Sequence, residues 1–228
     1  MSATAFGAEL AWRRVARRSS IAAAASAVVA VIVVALLERR IAIELAADRS
    51  LAGIALGVVL PLSSYGLVTR AVGSARLDDA VLAAARHGAS RRATVLGLFA
   101  VVLPLSAVVG LVLAALAVLI TRLPADPKLV SDLLTSAWIG ALAGIAYGAW
   151  FLAASTFGER GSGRLWALIL DWVLGASATA VALPFPRGHV RNLLGATPVM
   201  HLPQWSSSVA LMLLTLACTL WATRRCPP

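Results

Sequence analysis

The sequence predicts an all-α, polytopic membrane protein of six transmembrane helices, with a short cytoplasmic helix between spans two and three. Three observations predict it. The 228 residues are 60% hydrophobic and only 13% charged, whereas soluble domains run about 45–50% apolar and about 25% charged. The apolar residues gather in unbroken runs close to the roughly 20 residues that a bilayer crossing demands. One loop between two such runs carries helical periodicity. Composition alone excludes a water-soluble enzyme, a disordered regulator and a disulfide-stapled secreted domain.

The runs lie at about Ser20–Leu37, Leu51–Val68, Val95–Ile120, Leu133–Thr156, Leu165–Leu183 and Ser206–Thr223. The first follows an Arg-rich lead and runs into Glu38, Arg39 and Arg40 without a small-x-small cleavage site, so it reads as an uncleaved span and not a signal peptide. The whole chain, 1–228, reads as one transmembrane domain. Its non-spanning parts are an amphipathic N-terminal segment (1–19), an inner loop (69–94), a long outer loop (184–205) and a short tail (224–228).

The net charge of +10 would suggest nucleic acid in a soluble protein. In a bundle of spans it reads instead as topogenic arginine, with no nucleic-acid partner. With both ends inside, the inner basic set is Arg13, Arg14, Arg17, Arg18, Arg70, Arg76, Arg86, Arg91, Arg92, Arg160, Arg164, Arg224 and Arg225, which makes 13. The outer set is Arg39, Arg40, Arg49, Arg122, Lys128, Arg187 and Arg191, which makes 7. That asymmetry places both termini in the cytoplasm. The two cysteines, Cys218 and Cys226, read as inert.

Within the spans, Gly140, Gly144 and Gly148 form a doubled small-xxx-small ridge, and Gly53 and Gly57 repeat the device once. Such ridges let two backbones approach closely. Pro61 and Pro104 fall inside spans and should kink them.

Chemistry-bearing patterns are sparse. The single lysine, Lys128, follows Pro127, so the chain has no phosphate-binding loop of the G-x-x-x-x-G-K-[ST] type. His87, His189 and His201 all lie outside the runs, which leaves no metal or haem ligand set on a span face. No catalytic residue, metal or cofactor is expected. Asp171 is the one ionisable group well inside a span, about 9 Å from its inner end. Such a carboxylate reads either as a functional intramembrane site or as a shallow group paired with a loop arginine such as Arg164. Tyr65 and Tyr147, with Ser63 and Ser64, add polar points to the bundle.

The inner loop reads L-D-D-A-V-L-A-A-A-R-H-G-A-S-R-R from Leu77 to Arg92. Asp78 and Asp79 fit a first turn, Arg86 a last turn, and Gly88 a stop. Leu77, Val81, Leu82 and Ala85 share a face. The pattern predicts about three turns of helix facing the cytosol, either lying on lipid headgroups or fitting a groove on a soluble partner.

This arrangement resembles the permease subunit of type-2 ABC exporters. In that family a short coupling helix between spans two and three carries a pattern like G-T-L-x-x-L-L-A-T-P-V-S-R. Here A-R-L-D-D-A-V-L-A-A-A-R-H-G-A-S-R-R-A-T-V-L-G occupies the same place and keeps the apolar face, the Ala89–Arg91 ending and an early Gly97. Acidic residues replace the Gly-Thr, and His87–Gly88 the Thr-Pro.

The resemblance extends to an interfacial helix before the first span, built on Phe6, Leu10, Trp12 and Val15, and to a re-entrant outer segment at Pro184–Trp205. It implies an exporter subunit of the bacterial inner membrane, with two copies of a soluble ATPase and a second permease copy or paralogue as partners. ATP hydrolysis would then belong to the partner. Leu77, Asp78, Asp79, Val81, Leu82, Ala85, Arg86, Ser90 and Arg91 are the implied contacts with it. Two other readings fit the residues: a partnerless six-helix transporter or channel using Asp171, and a non-transporting membrane anchor or assembly factor.

Overall fold

The protein is described by a computed structural model covering residues 2–86 and 88–226. His87, part of the helix-stop pattern above, and Pro227 and Pro228 of the tail lie outside the described residues. Among the described residues there is no strand. The helices are α1 (Ala3–Val15), α2 (Arg18–Ile41), α3 (Ala46–Asp48), α4 (Leu60–Val72), α5 (Leu77–Arg86), α6 (Arg91–Thr121), α7 (Leu129–Ala154), α8 (Gly163–Leu174), α9 (Pro186–Leu193) and α10 (Gln204–Arg225). A π-helical run, Arg49–Val59, joins α3 to α4 without a break. Five helical runs are long and apolar enough to cross a bilayer: Arg18–Ile41, Ala46–Arg86, Arg91–Thr121, Leu129–Ala154 and Gln204–Arg225.

The π-helical run stands just before Pro61, where the sequence predicts a kink. In an α-helix the Pro61 ring would press on the carbonyl four residues back. The turns before it are widened, and the Leu60 N–H donates to the Ala55 carbonyl, five residues back. Pro104, by contrast, sits inside α6 without ending it.

The centre of the bundle is the α6–α7 pair. Gly140 meets the Gly110 backbone, Gly144 the Ser106 carbonyl and Gly148 the Ser106 side chain. A Cβ at Gly140 or Gly144 would overlap backbone atoms of the neighbour, so the ridge does let the two main chains touch. The second proposed ridge is not one. A Cβ at Gly53 would meet nothing, and one at Gly57 would meet only its own helix, at the Ala52 carbonyl. Both glycines belong to the π-helical run, where Gly53 is exposed and Gly57, though buried, has no neighbouring helix in contact with its Cβ position.

α1 lies across the start of α6. Ser2 caps it by accepting from Ala5 N–H at 3.2 Å. Its buried face is Gly7, Ala11 and Val15, with Gly7 against the Thr94 backbone and Gly97 against Thr4 and Ala8. The face expected from Phe6, Leu10, Trp12 and Val15 is therefore rotated: small residues go inward, and Trp12 is left 52% exposed. α2 buries only Val31 and Ala35 and presents the rest of its apolar surface outward.

The expected fifth span, Leu165–Leu183, is not a single helix. α8 ends at Leu174 after 12 residues, about 18 Å at 1.5 Å per residue, against a hydrocarbon core of about 30 Å. Beyond it a short 3₁₀ turn and α9 fold back toward α7 and α10. The chain bends at Gly175 because the start of α9 packs there: a Cβ on Gly175 would press on the Cβ atoms of Arg187 and Phe185.

Contacts divide the bundle into two ends. One end holds α1, α5, the start of α6, the end of α7 and the end of α10, where Arg225 lies over the Trp221 ring at 4.7 Å and the Phe157 ring at 5.9 Å. This is the α5 face. On the other, Arg39 donates to the Ile120 carbonyl at 3.0 Å, closing the end of α6. Arg122 pairs there with Asp132 at 2.7 Å and Asp126 at 3.2 Å, and Arg49 with Glu38 at 3.6 Å.

Candidate functional site

The helix expected between the second and third apolar runs is present as α5, Leu77–Arg86, with Asp78 and Asp79 in its first turn and Arg86 in its last. Its 10 residues make the roughly three turns read from sequence. Ser90 and Arg91 belong to α6, whose N-terminus Ser90 caps by accepting from Ala93 N–H at 3.5 Å. The apolar face is divided. Leu77 and Val81 are fully buried against the protein's own bundle, together with Ala80 and Ala84. Leu82 and Ala85 are only partly buried, and Asp79 and Arg86 are exposed. Asp78 faces inward enough to pair with Arg76 at 3.3 Å. The surface that α5 offers is therefore polar at both ends, with Leu82 between them.

What holds α5 in place is a set of bonds to carbonyls from other elements. Leu77 N–H donates to the Ser155 carbonyl at 2.9 Å, and Arg76 to the Thr156 carbonyl at 3.2 Å, both at the end of α7. Arg164, at the start of α8 and only 3% exposed, donates to the carbonyls of Gly73 at 2.9 Å, Ala75 at 3.2 Å and Gly161 at 3.1 Å. Arg14 of α1 donates to the Ala71 and Val72 carbonyls, both at 3.1 Å.

The end of α4 thus receives two guanidinium groups from outside elements. Its last carbonyls have no partner within the helix and lie at the negative end of the dipole, which makes arginine the fitting cap. Gly73, at φ +87°, turns the chain out of α4 in a conformation few side chains adopt. These bonds tie α5 and the loop before it to α4, α7 and α8 together. Sequence reasoning assigned Arg164 to topology or to Asp171. Its clamping role has no local signature, since its acceptors lie up to 91 residues away.

Asp171 does not pair with Arg164. It is fully buried, with one carboxylate oxygen accepting from the Tyr147 hydroxyl at 3.0 Å and the other from Arg187 N–H at 3.0 Å. The first bond ties α8 to α7. The second caps the first turn of α9, where free backbone donors and the helix dipole favour a carboxylate. Tyr65 joins this cluster only through Phe151, which it meets edge-on at 5.8 Å while Tyr147 stacks on the same ring at 6.1 Å. Ser64 is buried and makes no hydrogen bond, and Ser63 is partly buried.

The folded-back segment around α9 is fixed in the same way. His189 is buried, with Nε2 2.9 Å from the Leu183 carbonyl and Nδ1 3.4 Å from the Ser207 hydroxyl. Asn192 donates to the same hydroxyl at 2.8 Å, and Arg191 to the Ala176 carbonyl. Sequence reasoning left His189 in an outer loop. The structure makes it a strut between α9 and α10.

No protein-family model, curated protein or solved structure matches the chain.

Proposed function

We propose that the chain is the membrane subunit of an ATP-binding-cassette exporter, working with two soluble ATPase subunits and a second permease copy or paralogue in a bacterial inner membrane. The observation that carries this reading is α5. It is a short rigid helix at one end of an apolar bundle, bonded through its first residue and the loop before it to α4, α7 and α8, with Asp79 and Arg86 outward. A motor that closes against such a handle moves three helices at once.

The reading makes the α5 face cytoplasmic. The arginine balance supports that, because the 13 inner arginines read from sequence lie in segments gathered at that face. It also restores a sixth crossing. α7 and α10 both end at the α5 face, and α10 is long enough to span, so the chain must cross once more between them. α8 with the segment after it makes that crossing, and α9 closes the outer side as a gate. Irregular backbone at that depth is tolerable where protein surrounds it. A partnerless transporter working through Asp171 is less well supported, because both carboxylate oxygens are engaged in holding α7 and α9.

The test is the double charge reversal Asp79→Arg with Arg86→Glu. Both side chains are exposed and Arg86 makes no ion pair among the described residues, so melting of the purified protein should fall only slightly, by the loss of two charges that complement the α5 dipole. Like charges brought together at an interface cost several kcal/mol, and about 1.4 kcal/mol is tenfold in affinity. Recovery of the ATPase and ATP-driven transport should therefore fall about tenfold or more. Unchanged recovery and transport would remove α5 as the docking element.

A further inference from the structure

On the α5 face, a cavity of about 580 Å³ opens between the end of α1, the start of α2, the end of α4 and the start of α5. We propose that it binds a phosphate group, that of an anionic phospholipid headgroup. Three arginines line it, Arg14, Arg17 and Arg70, against one acid, Asp79. None of the three pairs with a carboxylate among the described residues. Arg14 meets the carbonyls of α4 through a single nitrogen, Nη1, so its other nitrogens are available to a ligand. Burial, followed by the charge of Arg17, holds the Arg14 pKa below its usual value. Arg17 thus stands close enough to act on Arg14 as a like charge.

The rest of the lining suits the same ligand. Ser19 and Thr69 bring hydroxyls, and Thr69 Oγ1 is buried with no hydrogen-bond partner. Arginine forks match phosphate oxygens in pairs, and hydroxyls satisfy those that remain. The position selects a lipid over a free anion. Ser19 lies in the first turn of α2, whose outward face turns apolar at once, with Ile21 71% exposed. Trp12 on α1 is the kind of amphipathic ring that settles at the headgroup level. A cavity beside these two side chains suits a phosphate tethered to a lipid. Juxtamembrane arginines are drawn to an anionic membrane surface. The proposal does not depend on α5 docking an ATPase.

The experiment uses the full chain in nanodiscs of phosphatidylcholine with one-fifth phosphatidylglycerol, followed by native mass spectrometry of the lipids retained. Phosphatidylglycerol should be kept in preference to phosphatidylcholine. The double variant Arg17→Gln with Arg70→Gln should lower its retention about tenfold. Asp79→Asn should raise it, and Arg160→Gln, outside the cavity, should leave it unchanged. Because Asp79→Asn predicts a gain, loss of folding in the arginine variant would not decide the matter.

Equal retention of the two lipids, or retention indifferent to all three cavity substitutions, would overturn the proposal. Displacement of phosphatidylglycerol by millimolar inorganic phosphate would overturn the lipid assignment and leave a soluble phosphate ligand.

Discussion

Replacing Arg164 by alanine should release α5 from the bundle. The guanidinium serves three carbonyls on two segments, and without it the Gly73, Ala75 and Gly161 oxygens lose their charged donor at a site buried at Gly161 and part-buried at Gly73 and Ala75. A hydrogen bond to a charged group is worth about 1.5–3 kcal/mol. Part of that is offset because Arg164 is itself costly to bury and its Nη1 has no partner. A net loss of about 2–3 kcal/mol follows, read as a lower melting temperature in detergent. The more specific readout is hydrogen exchange: amides of Leu77–Arg86 should lose protection while those at the centre of α6 and α7 keep it. Arg164→Lys should fall between the two, because a single ammonium cannot span all three acceptors. In the proposed exporter, the alanine variant should bind its ATPase yet transport poorly.

Gly144→Leu should do more damage to the fold itself. The Gly144 position stands against the Ser106 carbonyl, and its neighbour along the ridge, Gly140, stands against Gly110. There is no flexible side chain at Gly144 to move aside, so the helices must separate or slide. Overpacking of this kind costs about 1–3 kcal/mol even where side chains can give way, and here backbone has to yield. The expected result is a large loss of monodisperse protein and, in what survives, melting lowered by about that energy or more. Gly53→Ala is the contrasting control. It adds a Cβ to open space and should change stability by less than about 0.5 kcal/mol. Equal behaviour of the two variants would mean that α6 and α7 do not meet through their main chains.

The parts of this architecture that could be read from sequence are those set by local chemistry. Apolar runs mark α2, the Arg49–Val72 helix, α6, α7 and α10, since a span declares itself by length and composition. The acid-first, base-last pattern with its apolar spacing marks α5. What stayed hidden depends on contacts between distant residues. Ala176–Ala182 is apolar enough to pass for the rest of a span, but Gly175 yields to the packed start of α9. Asp171 finds its partner 16 residues ahead, on a backbone amide that carries no sequence signal. The inward face of α5 was visible as apolar, although nothing local says whether such a face meets its own bundle or a partner. Gly53 and Gly57 have the spacing of a ridge, but in the π-helical run that carries them no neighbouring helix meets their Cβ positions.

If α5 is the handle for a separate ATP-driven motor, cross-linking from α5 in native membranes will show it most directly. A photoreactive residue placed at Asp79 or Arg86 should link the chain to a soluble protein that contains a phosphate-binding loop, with yield changing when ATP is added. Labelling of Asp79 and Arg86 from the outer side of the membrane, or cross-links confined to lipid whatever the nucleotide, would contradict it.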